Sequence, residues 1–255
     1  MQIDLGAPWL IAFFLVLARA LAWMSVVTPF SNRSSVPRVV TIGIGAGLAM
    51  LVAPQLERAP VPTGTAELVG ALVLQIGTGL ALGFVVQMLL SAVAAAGTLL
   101  DLAGGLTLPP SMDPLSGAQL PIMSQFYEQV VVLVLFTSNG YLLMVAGFVR
   151  SFGAPGLGLR VSGIAASVVL SDLEVFFTSA IEIAAPVMVV LFAAQMVLAL
   201  LSKAAPSTNV WLLGFPLQVF LVLVLVAITL TAVPDDVANL LARGLGDGLR
   251  MFGRA

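Results

Sequence analysis

The chain has 255 residues, of which 60% are apolar and 9% are charged, and its mean hydropathy is +1.13. Soluble domains carry about 25% charged residues, so this composition excludes an ordinary water-soluble domain. A net charge of −2 provides no basic face for nucleic acid. The absence of Cys and His excludes disulfides, thiol chemistry and imidazole–metal sites. The composition therefore predicts an all-α membrane protein with several spans.

The first apolar segment, Leu10 to Val27, follows a short start that carries Asp4 and no basic residue. A secretory signal needs a positive start and a small-residue cleavage site, so we expect this segment to be retained as a span. Arg19 lies in its middle. A centred arginine costs at least about 2.5–3.5 kcal/mol in a bilayer, which predicts that Arg19 faces protein or a wet cavity unless it lies near an interface and snorkels.

The later apolar runs differ in length, although roughly 20 residues are needed to cross a bilayer. We expect a marginal span at Val39–Leu56 and either one long helix or a broken pair at Leu68–Leu100. Gln129–Val149 fits a single crossing, whereas Val161–Ser171 is too short to cross alone. Two further spans are expected at Ile183–Ser202 and Leu217–Val233. The sequence thus predicts five to seven helical segments, including broken helices. Residues 235–255 form a separate tail, predicted as an amphipathic helix on the membrane or on a partner.

The connector between the second and third of these regions, Gly104 to Pro121, is rich in proline and glycine and carries Asp113 among apolar residues. Proline lacks a backbone N–H and breaks helices, so the connector cannot be a regular helix throughout. Two interpretations stay open. The connector is either a solvent loop or a loop folded into the interior of an assembly.

Ionisable groups inside apolar runs are candidates for a buried pair, because burying one charge alone is costly. Glu182 begins an apolar run, and Asp101 ends another. The candidate buried charges are Arg19 and Glu182, and the candidate pairs are Arg19–Glu182 and Arg19–Asp101. The alternative is that Arg19 and Glu182 both lie near membrane interfaces and snorkel. The same two residues are the candidates for an alternative function, a small-solute secondary transporter with a midplane site.

Glycines and glutamines within the apolar runs predict helix packing. The stretches 41–47 and 77–83 match neither the dinucleotide fingerprint nor a Walker motif, whereas Gly79 and Gly83 form a small-xxx-small pair that lets helices approach closely. Gln75, Gln87 and Gln195 are expected to form interhelical hydrogen bonds. Catalysis is not expected, because intramembrane serine chemistry needs a His or Lys base and paired aspartates would have to lie within spans. We therefore predict neither an enzyme nor a cofactor.

One stretch, residues 202–218 with the sequence SKAAPSTNVWLLGFPLQ, resembles the signature of the flagellar biosynthesis protein FliR family. That family shows a basic residue, then APQxN, then GFPxK. The matching residues here are Lys203, Pro206, Asn209, Gly214, Phe215 and Pro216. Ser207 and Thr208 depart from the usual Gln-Met, and Gln218 replaces the usual Lys.

The resemblance continues upstream and covers roughly residues 5 to 235. Further matching residues occur in the family's order: Arg19, Pro29, Val36 to Val39, Asp113-Pro114, Asn139-Gly140, Ser151-Phe152, Pro155 and Pro186. Tyr141 stands where the family often has His. The GFPL sequence leans towards flagellar rather than virulence secretion.

The resemblance implies a single-copy subunit of the type III export gate in the bacterial inner membrane, associated with the flagellar basal body. Its implied partners are P-type and Q-type gate subunits, A-type and B-type export components, membrane lipid and transported polypeptides. Residues 1–170 would resemble a P-type subunit, and residues 171–234 would form a Q-like hairpin. The energy for export would come from the ATPase and the proton motive force, and not from this chain.

The resemblance also implies site residues. The connector would help plug a channel for unfolded polypeptides, with Leu108, Met112, Asp113, Pro114 and Leu115 at the gate. The tip of the hairpin, with Lys203, Pro206, Asn209, Gly214, Phe215 and Pro216, would either contact the B-type component or serve only as a turn.

Overall fold

The computed structural model describes residues 7–28, 30–31, 36–56, 64–106, 121–153, 164–205 and 210–251. These residues form α-helices and no strand, which confirms the all-α prediction. Eight helices follow one another in the chain, the last being the tail predicted from the sequence, and a 3-10 turn at Ser151–Gly153 follows the fifth: α1 Ala7–Val26, α2 Arg38–Leu56, α3 Thr65–Ala103, α4 Ile122–Thr137, α5 Gly140–Arg150, α6 Ile164–Ala204, α7 Val210–Thr229 and α8 Val233–Arg250.

Three helices are long and apolar enough to cross a membrane: α1, α3 and α6. The number rises to five if each of two bent helix pairs is counted as one span. The long uncharged run 68–100 forms one helix of 39 residues rather than a broken pair, since no proline interrupts it. Residues 164–171 of the short run belong to α6, a helix of 41 residues that contains Pro186.

The run 129–149, which the sequence predicts as a single crossing, contains a break and is one span only if the bent pair α4 and α5 is counted together. It divides into α4 and α5, which meet at an angle of 77°. The break lies at Ser138 and Asn139, where Asn139 has a left-handed backbone with φ of 55°. Asparagine tolerates this conformation better than other non-glycine residues, and Gly140 follows it. The run 129–149 contains no charged residue, which favours one segment in the sequence, although Thr, Ser, Asn and Gly occupy positions 137–140.

The tail forms the amphipathic helix α8, which meets α7 at 63°. Its apolar side is buried, at Val237, Leu240 and Leu241. Leu245 contacts the position of Gly147 in α5, and Gly248 faces Leu82 of α3. This end of the helix packs on the chain itself, and its contact with the membrane or with a partner stays a prediction.

The helices divide into two compact units. The first takes its described residues from 1–88, 139–172 and 240–255, and the second from 89–138 and 173–239. In the first unit, Val16, Ala49 and Val52 form a buried cluster between α1 and α2, with Phe13 and Leu17 packed against it. In the second unit, the fully buried side chains include Leu100, Leu191 and Val222.

Candidate functional site

Arg19 lies in the middle of α1 with only 7% of its surface exposed. Its Nη1 donates to the carbonyl oxygen and to the Oγ of Ser151, each at 3.1 Å. The guanidinium carbon lies 4.1 Å from the ring centroid of Phe152. Ser151 caps the C-terminus of α5, where a positive charge is favourable. Arg19 therefore joins the centre of α1 to the end of α5.

The carboxylates that we expected to pair with Arg19 have other surroundings. Glu182 is exposed on α6, because Ile183, Ala184 and Val187 occupy the buried side of that helix. Asp101 is fully buried, but its oxygens accept backbone hydrogen bonds from α4. Arg19 satisfies Nη1 with a hydroxyl and a carbonyl, so an ion pair is not how its burial is compensated.

The two glycines of the small-xxx-small pair lie against the backbone of α1, as predicted. A Cβ on Gly79 would overlap the carbonyl oxygen of Arg19, and a Cβ on Gly83 would lie 3.0 Å from the carbonyl oxygen of Trp23. Arg19 and Trp23 are four residues apart, as are the two glycines, so one face of α3 follows one face of α1. Close approach of these backbones therefore requires glycine at both positions.

Two of the three glutamines form the interhelical bonds that the sequence predicts. Gln87 of α3 accepts a hydrogen bond of 2.8 Å from the backbone N–H of Thr28, just after α1. Gln195 of α6 donates 2.6 Å to the carbonyl oxygen of Ala103 at the end of α3. Gln75 is buried, but its Oε1 has no hydrogen-bond partner among the described residues.

The ends of the connector meet at Asp101. Its Oδ2 accepts hydrogen bonds from the backbone N–H of Met123 at 2.9 Å and of Ser124 at 3.2 Å, and its Oδ1 lies 3.1 Å from the Met123 N–H. The first N–H groups of a helix have no partner within it and favour negative charge. Gly97, one turn earlier in α3, leaves no room for a Cβ against Met123. We call this junction the connector clamp.

The start of the connector also contacts the hairpin formed by α6 and α7. Gln195 bonds to Ala103, and a Cβ on Gly104 would lie 2.7 Å from Cγ2 of Val222. Gly105 has a φ of 63°, and its missing Cβ would lie 3.4 Å from the Oε1 of Gln218. Gln218, where the family usually has lysine, thus lies beside the point at which the connector leaves α3.

The predicted gate residues Leu108, Met112, Asp113, Pro114 and Leu115 lie outside the described residues, and so do Pro206 and Asn209 of the hairpin tip. Lys203 is exposed in the last turn of α6, Gly214 packs against Leu198, and Phe215 and Pro216 are exposed.

Sequence reasoning missed the roles of Asp101 and Ser151. Ser151-Phe152 was part of the family resemblance but suggested no contact, and Asp101 was considered only as an ion-pair partner. The position of Asp101 shortly before a proline-rich connector was the available signal for a capping role. Among the described residues, no three acidic side chains are grouped as metal ligands would be.

Comparison with known proteins gives a consistent result. The family described as bacterial export proteins, family 1, matches residues 10–244. The flagellar biosynthetic protein FliR of Escherichia coli K12 is 30% identical over 210 residues, covering 82% of this chain and 80% of the relative. FliR of Pectobacterium carotovorum is 27% identical over 235 residues, covering 91% and 89%. The surface presentation of antigens protein SpaR of Shigella sonnei is 27% identical over 158 residues, covering 60% of each chain.

The residues that the family model matches, 10–244, include those of the Arg19–Ser151 contact and of the connector clamp. The first relative is matched across four fifths of its own length. The chain therefore belongs to the FliR family of bacterial export proteins.

Proposed function

We propose that the chain is a subunit of the flagellar type III export gate, present in one copy, which helps to form and seal the channel through which unfolded polypeptides cross the inner membrane. Family membership and the names of the FliR and SpaR relatives support a role in an export apparatus. The several apolar helices are consistent with a multi-pass membrane protein. The chain acts by lining and gating rather than by catalysis. No observation on the described residues favours a small-solute transporter, because Arg19 is engaged by Ser151 and Phe152.

The connector is the proposed plug, with Leu108, Met112, Asp113, Pro114 and Leu115 as its sealing residues. The observation that carries this proposal is the connector clamp, in which Asp101 holds the start of α4 against the end of α3. A sealing loop needs fixed ends, since a loop with loose ends would pay a larger ordering entropy on closing the channel. Gln195 fixes the same end of α3 to α6.

The test is deletion of residues 108–115, compared with replacement of the same residues by a Gly-Ser sequence of equal length. Ion leak is measured across membranes that contain the assembled complex, and assembly is checked by co-purification of the partner subunits. Both variants should assemble and leak, because both remove the apolar seal. An assembled complex that stays tight in both variants contradicts the plug.

The proposed partners are the P-type and Q-type gate subunits and the A-type and B-type export components. Residues 1–170 are the P-like part in this proposal, and residues 171–234 are the Q-like hairpin. The hairpin helices carry large exposed apolar side chains that need either lipid or partner helices to cover them: Phe192, Val197, Leu200, Phe220, Leu223 and Ile228. Native mass spectrometry of the complex should find one copy of this chain with several P-type and Q-type subunits. A homo-oligomer would contradict the proposal.

The hairpin tip, from Lys203 to Pro216, is proposed to contact the B-type component. Lys203 is the only lysine of the chain and is exposed, so an amine-reactive crosslinker applied to native membranes reports on this position and on the chain's amino terminus. The expected product joins Lys203 to the B-type component, and Lys203→Arg should remove it because a guanidinium is not an acylation target. Lys203 crosslinks to other components alone would refute the contact.

A further inference from the structure

The chain leaves α3 through a hydrogen-bonded turn, residues 101–106, which we call the exit turn. The Leu106 N–H donates to the carbonyl oxygen of Asp101 at 2.9 Å, and the Gly105 N–H donates to the carbonyl oxygen of Leu102 at 3.3 Å. Gly105 has a φ of 63°. These two bonds and the left-handed glycine form a Schellman motif, which provides partners for two of the last carbonyl groups of a helix.

The carbonyl group of Ala103, the last residue of α3, takes no part in this motif. Its partner comes from another helix, because Nε2 of Gln195 in α6 donates to it at 2.6 Å. The last carbonyl groups of a helix have no partner within it and need one from outside. Gln195 therefore completes the cap of α3, and the exit turn depends on the position of α6.

Helix α7 lies against the two glycines of the exit turn. A Cβ on Gly104 would lie 2.7 Å from Cγ2 of Val222, and a Cβ on Gly105 would lie 3.4 Å from Oε1 of Gln218. Val222 and Gln218 are four residues apart, so one face of α7 follows both glycines. Val222 is fully buried, so a methyl group on Gly104 would displace either α7 or the turn.

Two successive glycines do not fix the direction of a chain by themselves. Glycine adopts left-handed and right-handed backbone conformations with similar ease, so other contacts select the conformation of Gly104 and Gly105. Apart from α3 and the turn itself, the contacts described above come from Gln195, Gln218 and Val222. All three residues belong to the hairpin formed by α6 and α7.

We infer that Gly104 and Gly105 form a hinge for the connector, and that the hairpin of α6 and α7 holds this hinge in one setting. While both helices lie against the end of α3, the Ala103 carbonyl is paired and the connector leaves in one direction. Displacement of α6 breaks the bond from Gln195, and the glycines are then free to redirect the connector. This control concerns the direction of the connector and does not depend on whether the connector seals a channel.

Electron paramagnetic resonance of a nitroxide at position 107, the next residue after Leu106, tests the hinge. The chain has no cysteine, so Thr107→Cys provides a single labelling site in the full chain, purified in mild detergent with the subunits that accompany it. The cysteine-free chain gives the background signal. Gln195→Leu lacks the donor to Ala103, and the ratio of mobile to immobile nitroxide should rise about twofold or more on loss of this hydrogen bond. An unchanged ratio overturns the inference.

Gln87→Leu is the matched control. It removes an interhelical hydrogen bond of similar length, 2.8 Å from the Thr28 N–H, elsewhere in α3. It should leave the nitroxide ratio unchanged. Equal rises in Gln87→Leu and Gln195→Leu would mean a general loosening of the helices and would also overturn the inference. Because ion leak is not the readout, failure of the hinge is distinguishable from failure of the proposed plug.

A second pair of variants tests the contact with α7 and applies even if Gln195→Leu fails to fold. Gly104→Ala places a methyl group against Val222 and should raise the ratio of mobile to immobile nitroxide, because α7 and the turn no longer fit together. Val222→Ala removes Cγ2, so the double variant should return towards the original ratio. A Gly104→Ala ratio that does not rise, or that Val222→Ala does not lower, contradicts the hold of α7 on the hinge.

Discussion

The carboxylate of Asp101, at the end of α3, holds the backbone N–H of Met123, at the start of α4, at 2.9 Å. These two residues flank the proline-rich connector, Gly104 to Pro121, of which residues 104–106 and Pro121 are described by the structure. One side chain thus joins the two described ends of the connector.

Removal of the Asp101 carboxylate should free the start of α4. Asp101→Ala is expected to lose about 1–3 kcal/mol of unfolding free energy, because it leaves buried N–H groups unsatisfied, and Asp101→Asn should lose less because it retains one acceptor oxygen. The measurement is thermal unfolding in detergent together with the rate of protease cleavage within 107–120. Glu128→Gln, which changes another acid of the α4 region, is the control. Equal effects in all three variants would contradict a specific clamp.

The contact between Arg19 and Ser151 should appear as an energetic coupling. Hydrogen bonds to charged groups contribute about 1.5–3 kcal/mol, so Arg19→Met should destabilise the chain strongly. Arg19→Lys should recover only part of the lost unfolding free energy. Lysine has no planar guanidinium group that could stack on the Phe152 ring while it bonds to both Ser151 oxygens. A double-mutant cycle of Arg19→Met with Ser151→Ala, measured by unfolding free energy, should give a coupling of about 0.5–3 kcal/mol.

The same cycle with Glu182→Gln is the control for the ion pair that the sequence suggested. Glu182 is exposed on α6, so we expect no coupling with Arg19→Met. A coupling as large as that with Ser151 would restore the ion pair and contradict the arrangement described here.

The close approach of α3 to α1 predicts opposite outcomes for two Gly→Ala changes. Gly79→Ala places a methyl group against the Arg19 carbonyl, and overpacking of this kind costs about 1–3 kcal/mol. Gly43→Ala in α2 meets nothing within 4 Å and should be neutral or stabilising by up to about 1 kcal/mol, because alanine favours a helix. Thermal unfolding of the two purified variants distinguishes them. Equal stability would argue against a tight helix contact at Gly79.

The corner between α4 and α5 depends on the left-handed backbone of Asn139. Asn139→Gly should be tolerated, whereas Asn139→Val should cost about 1–2 kcal/mol because a β-branched side chain clashes in this conformation. Val132→Ala in α4 serves as a control for loss of apolar volume. If glycine and valine at 139 behave alike in unfolding experiments, the corner does not require the left-handed residue.

The successful predictions concern features that repeat along one helix. Gly79 and Gly83 form a spaced pair whose packing role follows from geometry alone, and the central position of Arg19 predicts its burial through the cost of placing charge in lipid. Gln87 and Gln195 are polar groups in apolar runs and must find partners. Each inference needs only the local sequence and the properties of a membrane.

The remaining features depend on contacts between distant positions. Ser151 bonds to Arg19 through a hydroxyl and a backbone carbonyl, which leave no charge pattern to detect. Asp101 looked like an ion-pair partner because its role as a cap depends on where α4 begins beyond the connector. The α4–α5 corner was missed because no charged residue interrupts the run 129–149, although Asn139-Gly140 is a turn signal in its own right.

Helix α3 has a consequence for how the chain can exist in a membrane. Its 39 residues extend for about 58 Å at a rise of about 1.5 Å per residue. Even at a tilt of about 40°, the helix reaches about 44 Å along the bilayer normal, whereas the hydrocarbon layer is about 30 Å thick. Lipid tails therefore cannot cover the whole length of α3, and its amino-terminal half exposes Val69 and Val73. The apolar surface of α3 that extends beyond the hydrocarbon layer needs a cover other than lipid tails, and we expect the interfacial region or other components of an export apparatus to supply it.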